Sequence, residues 1–137
     1  MKIFFDTSSL VKRYIEEPES DKVLEICQEA DELVISIICP AEMIATLSRL
    51  VREKALSRKD YNQVKSLIFS EIEDMEVVPV QPEVVRFSIL ALERSTLRAM
   101  DAIHIGSALV AEPELFVSSD KRQLAAAKKA GLKILTV

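Results

Sequence analysis

The feature that most constrains the fold is the alternation of short apolar runs with longer segments of helical periodicity. The apolar runs at residues 3–5, 33–38, 77–80, 115–118 and 134–137 predict buried strands. The segments between them carry apolar residues at helical spacing and predict helices. Strands that alternate with helices form a parallel sheet covered on both faces, so we predict an α/β fold.

Proline, glycine and capping residues predict where the helices begin and end. The first helix is predicted to begin near Ser8 and to run toward Pro18, because proline is not tolerated in a helix interior. Ser20 is predicted to cap the second helix. Pro40 suits the first turn of a third helix, and Gly131 suits the end of the last one.

Length and composition predict one globular domain, residues 1–137. Of the 137 residues, 49% are hydrophobic and 29% are charged. No apolar run approaches the roughly 20 residues of a membrane-spanning helix. Asp6 stands too early for a secretory signal, which predicts a cytoplasmic protein without membrane partners. Cys27 and Cys39 lack metal-ligand spacing and lie in apolar patterns, so we predict buried free thiols, with a disulfide as the alternative.

Four acidic residues stand at predicted strand-to-helix junctions or early in a helix: Asp6, Glu42, Asp101 and Asp120. Ligand sites of parallel sheets lie at the carboxyl ends of the strands, so we expect the four side chains to meet at one edge. Carboxylates gathered in one cleft repel each other, and divalent cations such as Mg²⁺ prefer oxygen ligands. The four acids therefore predict metal-dependent hydrolysis of nucleic acid.

Each acid also has a structural interpretation. Asp6 and Asp120 are placed to cap the helices that follow them, and Glu42 is placed favourably against a helix dipole. Asp101 lies among apolar and small residues, where a charge needs a partner. A salt bridge to Arg98, three residues earlier, is the alternative to a metal. We prefer the metal, because this helix is predicted to be buried.

The charge balance restricts how nucleic acid is held. A net charge of −4 is not that of a general nucleic-acid binder, so contact with RNA needs local basic side chains. The candidates are Lys12, Arg13, Lys121 and Arg122, with further basic residues at Arg49, Arg52, Lys54, Arg94 and Arg98. The single histidine, His104, excludes catalysis by a histidine pair within one chain. Because it lies one turn after Asp101, it is a ligand or proton-donor candidate, although packing in the core is the more common role.

The chain resembles the PIN domain, and within that family the VapC-type ribonuclease toxins, in segments that occur in order along nearly its whole length. These segments are FDTSSLVK (residues 5–12), PAE (40–42), DAIH (101–104), SSDKRQL (118–124) and AAKKAGL (126–132). No single segment is specific to the family. Their combination, in this order and spacing, carries the resemblance.

The resemblance implies a three-layer α/β/α sandwich with a five-stranded parallel sheet. It implies Mg²⁺ or Mn²⁺ held by the four acids, with Asp6 and Asp101 as direct ligands and Thr7 and Ser118 as supporting polar residues. It also implies an RNA substrate, a homodimer, and an antitoxin that inserts a peptide and blocks the acidic cleft.

Three other functions remain open from the sequence. A PIN-type nuclease that processes RNA without being a toxin has the same residues. A Mg²⁺-binding receiver module also gathers acids at a sheet edge, but it needs paired acids after the first strand, and Asp6 has no acidic neighbour. A binding module with a degraded nuclease site is disfavoured, because all four acids are present.

Overall fold

The computed structural model describes all 137 residues and contains one five-stranded sheet. Its strands are β1 (Lys2–Phe5), β2 (Glu32–Ser36), β3 (Glu76–Val78), β4 (Leu115–Ser118) and β5 (Ile134–Thr136). Their order across the sheet is β3-β2-β1-β4-β5, and every neighbouring pair is parallel. The predicted parallel sheet is confirmed, with the first strand of the chain at its centre.

Seven α-helices connect the strands and cover the sheet. They are α1 (Thr7–Leu10), α2 (Ser20–Glu29), α3 (Cys39–Arg52), α4 (Arg58–Ile72), α5 (Pro82–Arg94), α6 (Ala99–Ala111) and α7 (Lys121–Lys129). Pro40 and Pro82 lie in the first turns of α3 and α5, where a missing N–H removes no helical hydrogen bond. Gly131, just beyond α7, has a φ of 97°, which glycine adopts without steric cost. No helix combines the length and apolar character needed to cross a membrane.

Side chains of the strands alternate between two separate cores. Ile3 and Phe5 of β1 belong to a core that also contains Leu47 of α3 and Ile68 of α4. Phe4 points to the opposite core, where residues of α5, α6 and α7 pack and where its ring stacks on Phe116 at 5.5 Å between centroids. Helices on both faces of one sheet make the predicted three-layer α/β/α sandwich.

Helices α5 and α6 approach each other closely at Gly106. A Cβ atom at this position would lie 2.5 Å from the Ser88 hydroxyl oxygen and 2.5 Å from the Val84 carbonyl oxygen. Glycine therefore permits a contact between the helices that a side chain would prevent. The contact fixes α6, the helix that carries Asp101 and His104.

The prediction of the first helix is wrong in length. Helix α1 ends at Leu10, and a short 3-10 turn, Val11–Arg13, follows it. Ser20 is the first residue of α2 and not its cap. Its hydroxyl accepts a hydrogen bond from the Glu17 N–H at 2.9 Å and donates to the Ile15 carbonyl at 3.1 Å, so it stabilises the preceding loop.

Three strands end earlier than predicted. β2 ends at Ser36, because Ile38 is already the N-cap residue of α3 and has helical backbone angles. β3 ends at Val78, because Pro79 has no N–H to donate to a neighbouring strand. β5 ends at Thr136. Both cysteines are free thiols as predicted, but only Cys39 is buried, whereas Cys27 is partly exposed. Burial raises the pKa of Cys39 to about 12.

Candidate active site

The four predicted acids lie at the carboxyl edge of the sheet. Asp6 directly follows β1, Glu42 and Asp101 lie in the first turns of α3 and α6, and Asp120 immediately precedes α7. Three of them, Glu42, Asp101 and Asp120, line one cleft of about 870 Å³. Asp6 is only 3% exposed and does not line this cleft. We call this hollow the acidic cleft.

Asp6 is surrounded by serine hydroxyls. Its Oδ1 accepts the Ser9 N–H at 3.0 Å and lies 2.8 Å from the hydroxyl oxygens of both Ser8 and Ser9. Its Oδ2 accepts the Ser118 hydroxyl at 2.5 Å. Burial raises the pKa of this carboxyl, and the hydrogen bond from Ser118 offsets part of that shift. The capping interpretation is correct for Asp6, but α1 alone does not explain why so many donors surround one carboxylate.

Glu42 is held by two side chains from other elements. Its Oε1 accepts the Thr7 hydroxyl at 2.7 Å and lies 2.5 Å from Nε2 of His104. Burial on its own raises the pKa of Glu42, but the hydrogen bonds from His104 and Thr7 outweigh it, and the pKa is lowered. Glu42 is therefore a fixed, ionised carboxylate at neutral pH.

His104 is a buried residue that supports Glu42. Its side chain is 2% exposed, and its ring packs edge-on against Phe4 at 6.5 Å between centroids. Nδ1 is buried without a hydrogen-bond partner, whereas Nε2 faces the Glu42 carboxylate. A proton on Nε2 fits the contact with the Glu42 carboxylate. His104 therefore combines core packing with a contact to the candidate site.

Asp101 is the carboxylate with the fewest stabilising contacts. Burial raises its pKa, and the negative charges of Asp120 and Glu42 raise it further. No ion pair joins it to Arg98, so the alternative interpretation of Asp101 is wrong. The Gln123 side chain donates from Nε2 to the Asp101 carbonyl at 3.1 Å and holds its backbone, not its carboxylate.

Asp120 caps α7 and is linked to Asp6 through Ser118. Its Oδ1 accepts the Arg122 N–H at 2.8 Å and the Gln123 N–H at 3.3 Å. Its own N–H donates to the Ser118 hydroxyl oxygen at 3.0 Å, and that hydroxyl donates to Asp6. Of the two predicted supporting residues, Ser118 therefore lies between two acids and Thr7 lies beside Glu42.

A ready-made metal cluster is absent from this arrangement: no three acidic, histidine or cysteine side chains are gathered in a way that could hold a metal ion. The donor chemistry nevertheless fits a hard divalent cation, because the cleft offers carboxylate oxygens. Asp101 accepts no side-chain hydrogen bond, and Glu42 and Asp120 each use only one oxygen. The mutual repulsion at Asp101 is the kind that a cation relieves.

The basic candidates divide into two groups. Lys121 and Arg122 line the acidic cleft together with Arg98. Lys12 is 8% exposed and its Nζ lies 3.0 Å from Oε2 of Glu19. Arg13 donates from Nε to Glu71 at 2.7 Å. Lys12 and Arg13, unlike Lys121 and Arg122, are therefore engaged by carboxylates outside the cleft.

Sequence reasoning assigned no role to three residues that hold the site. Ser8 and Ser9 donate to Asp6, and Gln123 is buried against the Asp101 backbone. The run of hydroxyl residues after Asp6 was a signal for the first two. Gln123 gave only a weak one, a polar residue three positions after a capping aspartate.

The PIN domain is the family whose profile matches the chain, over residues 3–130. The FitAcB structure from Neisseria gonorrhoeae superposes with a TM-score of 0.76 at 16% identity, covering 98% of this chain and 96% of that chain. For VapC20 from Mycobacterium tuberculosis, a toxin that cleaves the sarcin-ricin loop, the TM-score is 0.73 at 14% identity, with 98% and 99% covered.

A toxin–antitoxin complex from Klebsiella pneumoniae gives a TM-score of 0.71 at 16% identity, with 98% of this chain and 96% of that chain covered. At such identities the similarity shows the fold. No curated protein sequence matches the chain.

Proposed function

The chain belongs to the PIN-domain family, and from that membership we propose that it is a divalent-metal-dependent endoribonuclease that hydrolyses RNA phosphodiester bonds. One observation carries the proposal: Glu42, Asp101 and Asp120 line a single cleft and keep carboxylate oxygens free of hydrogen bonds. The same cleft is lined by Arg98, Lys121 and Arg122, which complement a phosphate backbone.

The proposed metal ligands are Asp6, Glu42, Asp101 and Asp120, with Asp6 and Asp101 as the direct ones. A Mg²⁺ or Mn²⁺ ion held by these residues would supply positive charge at the scissile phosphate and would make water a better nucleophile. Both oxygens of Asp6 accept hydrogen bonds, so its participation requires a serine hydroxyl such as that of Ser118 to turn away. Metal coordination by Asp6 therefore breaks the most hydrogen bonds. Asp101 is the carboxylate whose ionised form a cation stabilises most.

The roles proposed for the other groups follow from their environments. Glu42 stays ionised and fixed by Thr7 and His104, so it can orient the attacking water or accept its proton. Asp120 is exposed beside it in the cleft and is the second candidate for this role. Lys121 and Arg122 hold the phosphates on either side of the bond that is cut.

Calorimetric titration of Mn²⁺ and Mg²⁺ tests the proposal, with cleavage of a fluorescent single-stranded RNA followed in parallel. We expect wild-type protein to bind Mn²⁺ and to cleave, and Asp101→Asn to lose both. Asp74→Asn is the matched control: it removes the same charge from an exposed residue near Arg13 and Met75, outside the acidic cleft.

Three results would count against the nuclease. If wild-type protein binds neither ion, helix capping is the better explanation of Asp6 and Asp120. Asp101→Asn that cleaves at the wild-type rate removes the central ligand from the mechanism. Metal binding without cleavage of any RNA favours the degraded-site binding module over the enzyme.

We also propose that the protein is the toxin of a toxin–antitoxin pair, because several proteins with this fold are toxins and one similar structure is a toxin–antitoxin complex. Induced expression in a bacterial host should arrest growth for wild type and not for Asp101→Asn. Wild-type protein that cleaves RNA in vitro without arresting growth supports the RNA-processing nuclease instead.

A homodimer is proposed as the working form. Helix α5 exposes an apolar stripe formed by Val85, Ile89 and Leu92, which are 43%, 51% and 38% exposed. These residues are spaced four and three apart and so share one helix face. A second copy of the chain is the occupant we propose for this stripe.

A further inference from the structure

Beside the acidic cleft, we propose that a second hollow binds the phosphates of the RNA strand that leads away from the cut. This hollow, the basic groove, is lined by Arg94, Ser95, Thr96, Arg122, Ala125, Ala126 and Lys129. It shares Thr96 and Arg122 with the acidic cleft, so the two hollows adjoin. The identity of the occupant rests on the proposed function, since the strand is the RNA that the cleft cuts.

Charge is the first argument for this occupant. Arg94, Arg122 and Lys129 are exposed, none forms an ion pair, and no acidic residue lines the groove. The chain as a whole carries a net charge of −4. A cluster of unneutralised cations on an acidic protein, continuous with a cleft for a phosphodiester, complements a polyanionic strand.

The groove is held in shape by two helix ends. Arg94 ends α5 and Lys129 ends α7, and Nζ of Lys129 donates to the Arg94 carbonyl at 2.6 Å. This bond neutralises no charge, so the ammonium still attracts a phosphate. Ser95 and Thr96 follow Arg94 in the connecting loop and add hydroxyl groups to the lining.

Favourable interaction with the helix dipoles is the alternative account of these cations. Arg94 and Lys129 lie in last turns, where positive charge is stabilising without any ligand. Lys128 also lies in the last turn of α7 and is exposed, but it does not line the groove. A variant of Lys128 therefore distinguishes phosphate binding in the groove from interaction with the helix dipole.

The groove has a defined end. A neighbouring cavity of about 140 Å³ shares Arg94 and Lys129 with it, and the rest of its lining is mainly apolar, including Phe87, Leu90 and Leu109. The lining of that cavity adds no further basic residue, so the groove contacts only a short stretch of the strand.

Fluorescence anisotropy of a labelled single-stranded RNA, without divalent cation and over a series of salt concentrations, tests the groove. Each phosphate contact contributes about 0.7 to the slope of log affinity against log salt for a single strand. Arg94→Gln/Lys129→Gln should therefore reduce the slope by about 1.4, which corresponds to about 25-fold weaker binding near 0.1 M salt. Lys128→Gln should behave like wild type, and the charge-retaining Arg94→Lys/Lys129→Arg should restore the slope.

Two outcomes would overturn the groove: wild-type protein that binds no RNA, or a double variant with the same slope as Lys128→Gln. The charge-retaining variant and thermal unfolding of each protein distinguish lost charge from lost folding. Cleavage with Mn²⁺ is scored separately. Wild-type protein that binds through the groove but does not cut refutes the nuclease alone, and a double variant that binds and cuts like wild type refutes the groove alone.

Discussion

Nε2 of His104 lies 2.5 Å from Oε1 of Glu42, and this contact joins a buried helix to the acidic cleft. We expect His104→Leu to leave Glu42 held by Thr7 alone and to lower Mn²⁺ affinity or cleavage by about 10- to 100-fold, as loss of a residue supporting a ligand typically does. His104→Gln keeps a donor and should retain more activity. Calorimetry and cleavage rates measure both. Equal rates for the two variants would show that packing of the ring, and not the hydrogen bond, is what matters.

Ser118 is the hydroxyl shared by Asp6 and Asp120. Ser118→Ala removes the donor to Asp6 Oδ2 and the acceptor for the Asp120 N–H, at a side chain with no exposure. Leaving these groups without a partner should lower the free energy of unfolding by about 1–3 kcal/mol, measured by urea denaturation. The control is Ser66→Ala on the exposed face of α4, which should change it by no more than about 0.5 kcal/mol. An unchanged unfolding free energy in Ser118→Ala would mean that water replaces the hydroxyl.

Glu71 forms the network that takes Arg13 away from the cleft. Burial on its own raises the pKa of Glu71, but hydrogen bonds from Arg13 and Tyr14 outweigh it, and the pKa lies below its usual 4.5. A lowered pKa in the folded state stabilises the protein above pH 4.5, and that stabilisation is lost as the pH falls through the folded value.

We therefore expect Glu71→Gln to reduce the free energy of unfolding by about 1–2 kcal/mol at pH 7. The difference from wild type should shrink steadily below pH 4.5. Glu25→Gln, an exposed residue of α2, is the control and should show no such trend. A difference that is constant between pH 7 and pH 3 would exclude the charge of Glu71 as its cause.

The exposed stripe of α5 predicts the oligomeric state. Ile89→Glu places a charge in the centre of the stripe and should convert a dimer to a monomer in light scattering, without loss of helical content. Leu67→Glu on α4 changes a residue of similar exposure, 50%, and should leave the dimer intact. Wild-type protein that is monomeric at micromolar concentration would contradict the homodimer.

The parallel sheet and the edge at which the acids lie could be predicted, because both follow from local pattern. Apolar runs end directly before Asp6 and shortly before Asp120, and a strand end in a parallel sheet always points to the same edge. Local pattern could not predict which of the four acids line the cleft. Asp6 is buried behind serine side chains. One of them, Ser118, lies far from Asp6 in the sequence, so local pattern does not reveal the contact.

The error in the first helix has its origin in tertiary contacts. The first helix breaks into a short helix and a 3-10 turn, in which Lys12 turns to Glu19 and Arg13 to Glu71. Neither partner is visible in the local periodicity that predicted one continuous helix. Adjacent basic residues near a candidate site indicate phosphate contact only when no carboxylate reaches them first, and the position of Glu71 is set by the packing of α4.

The central position of β1 has a consequence for how the protein is made. β1 pairs on one side with β4, the strand that carries Ser118 to Asp6, and Asp120 follows directly after it. During synthesis, β1 has no partner on the β4 side until residues 115–118 have left the ribosome. The acidic cleft, which Asp101 and Asp120 line, therefore assembles only after the residues that follow β4 have been added to the chain.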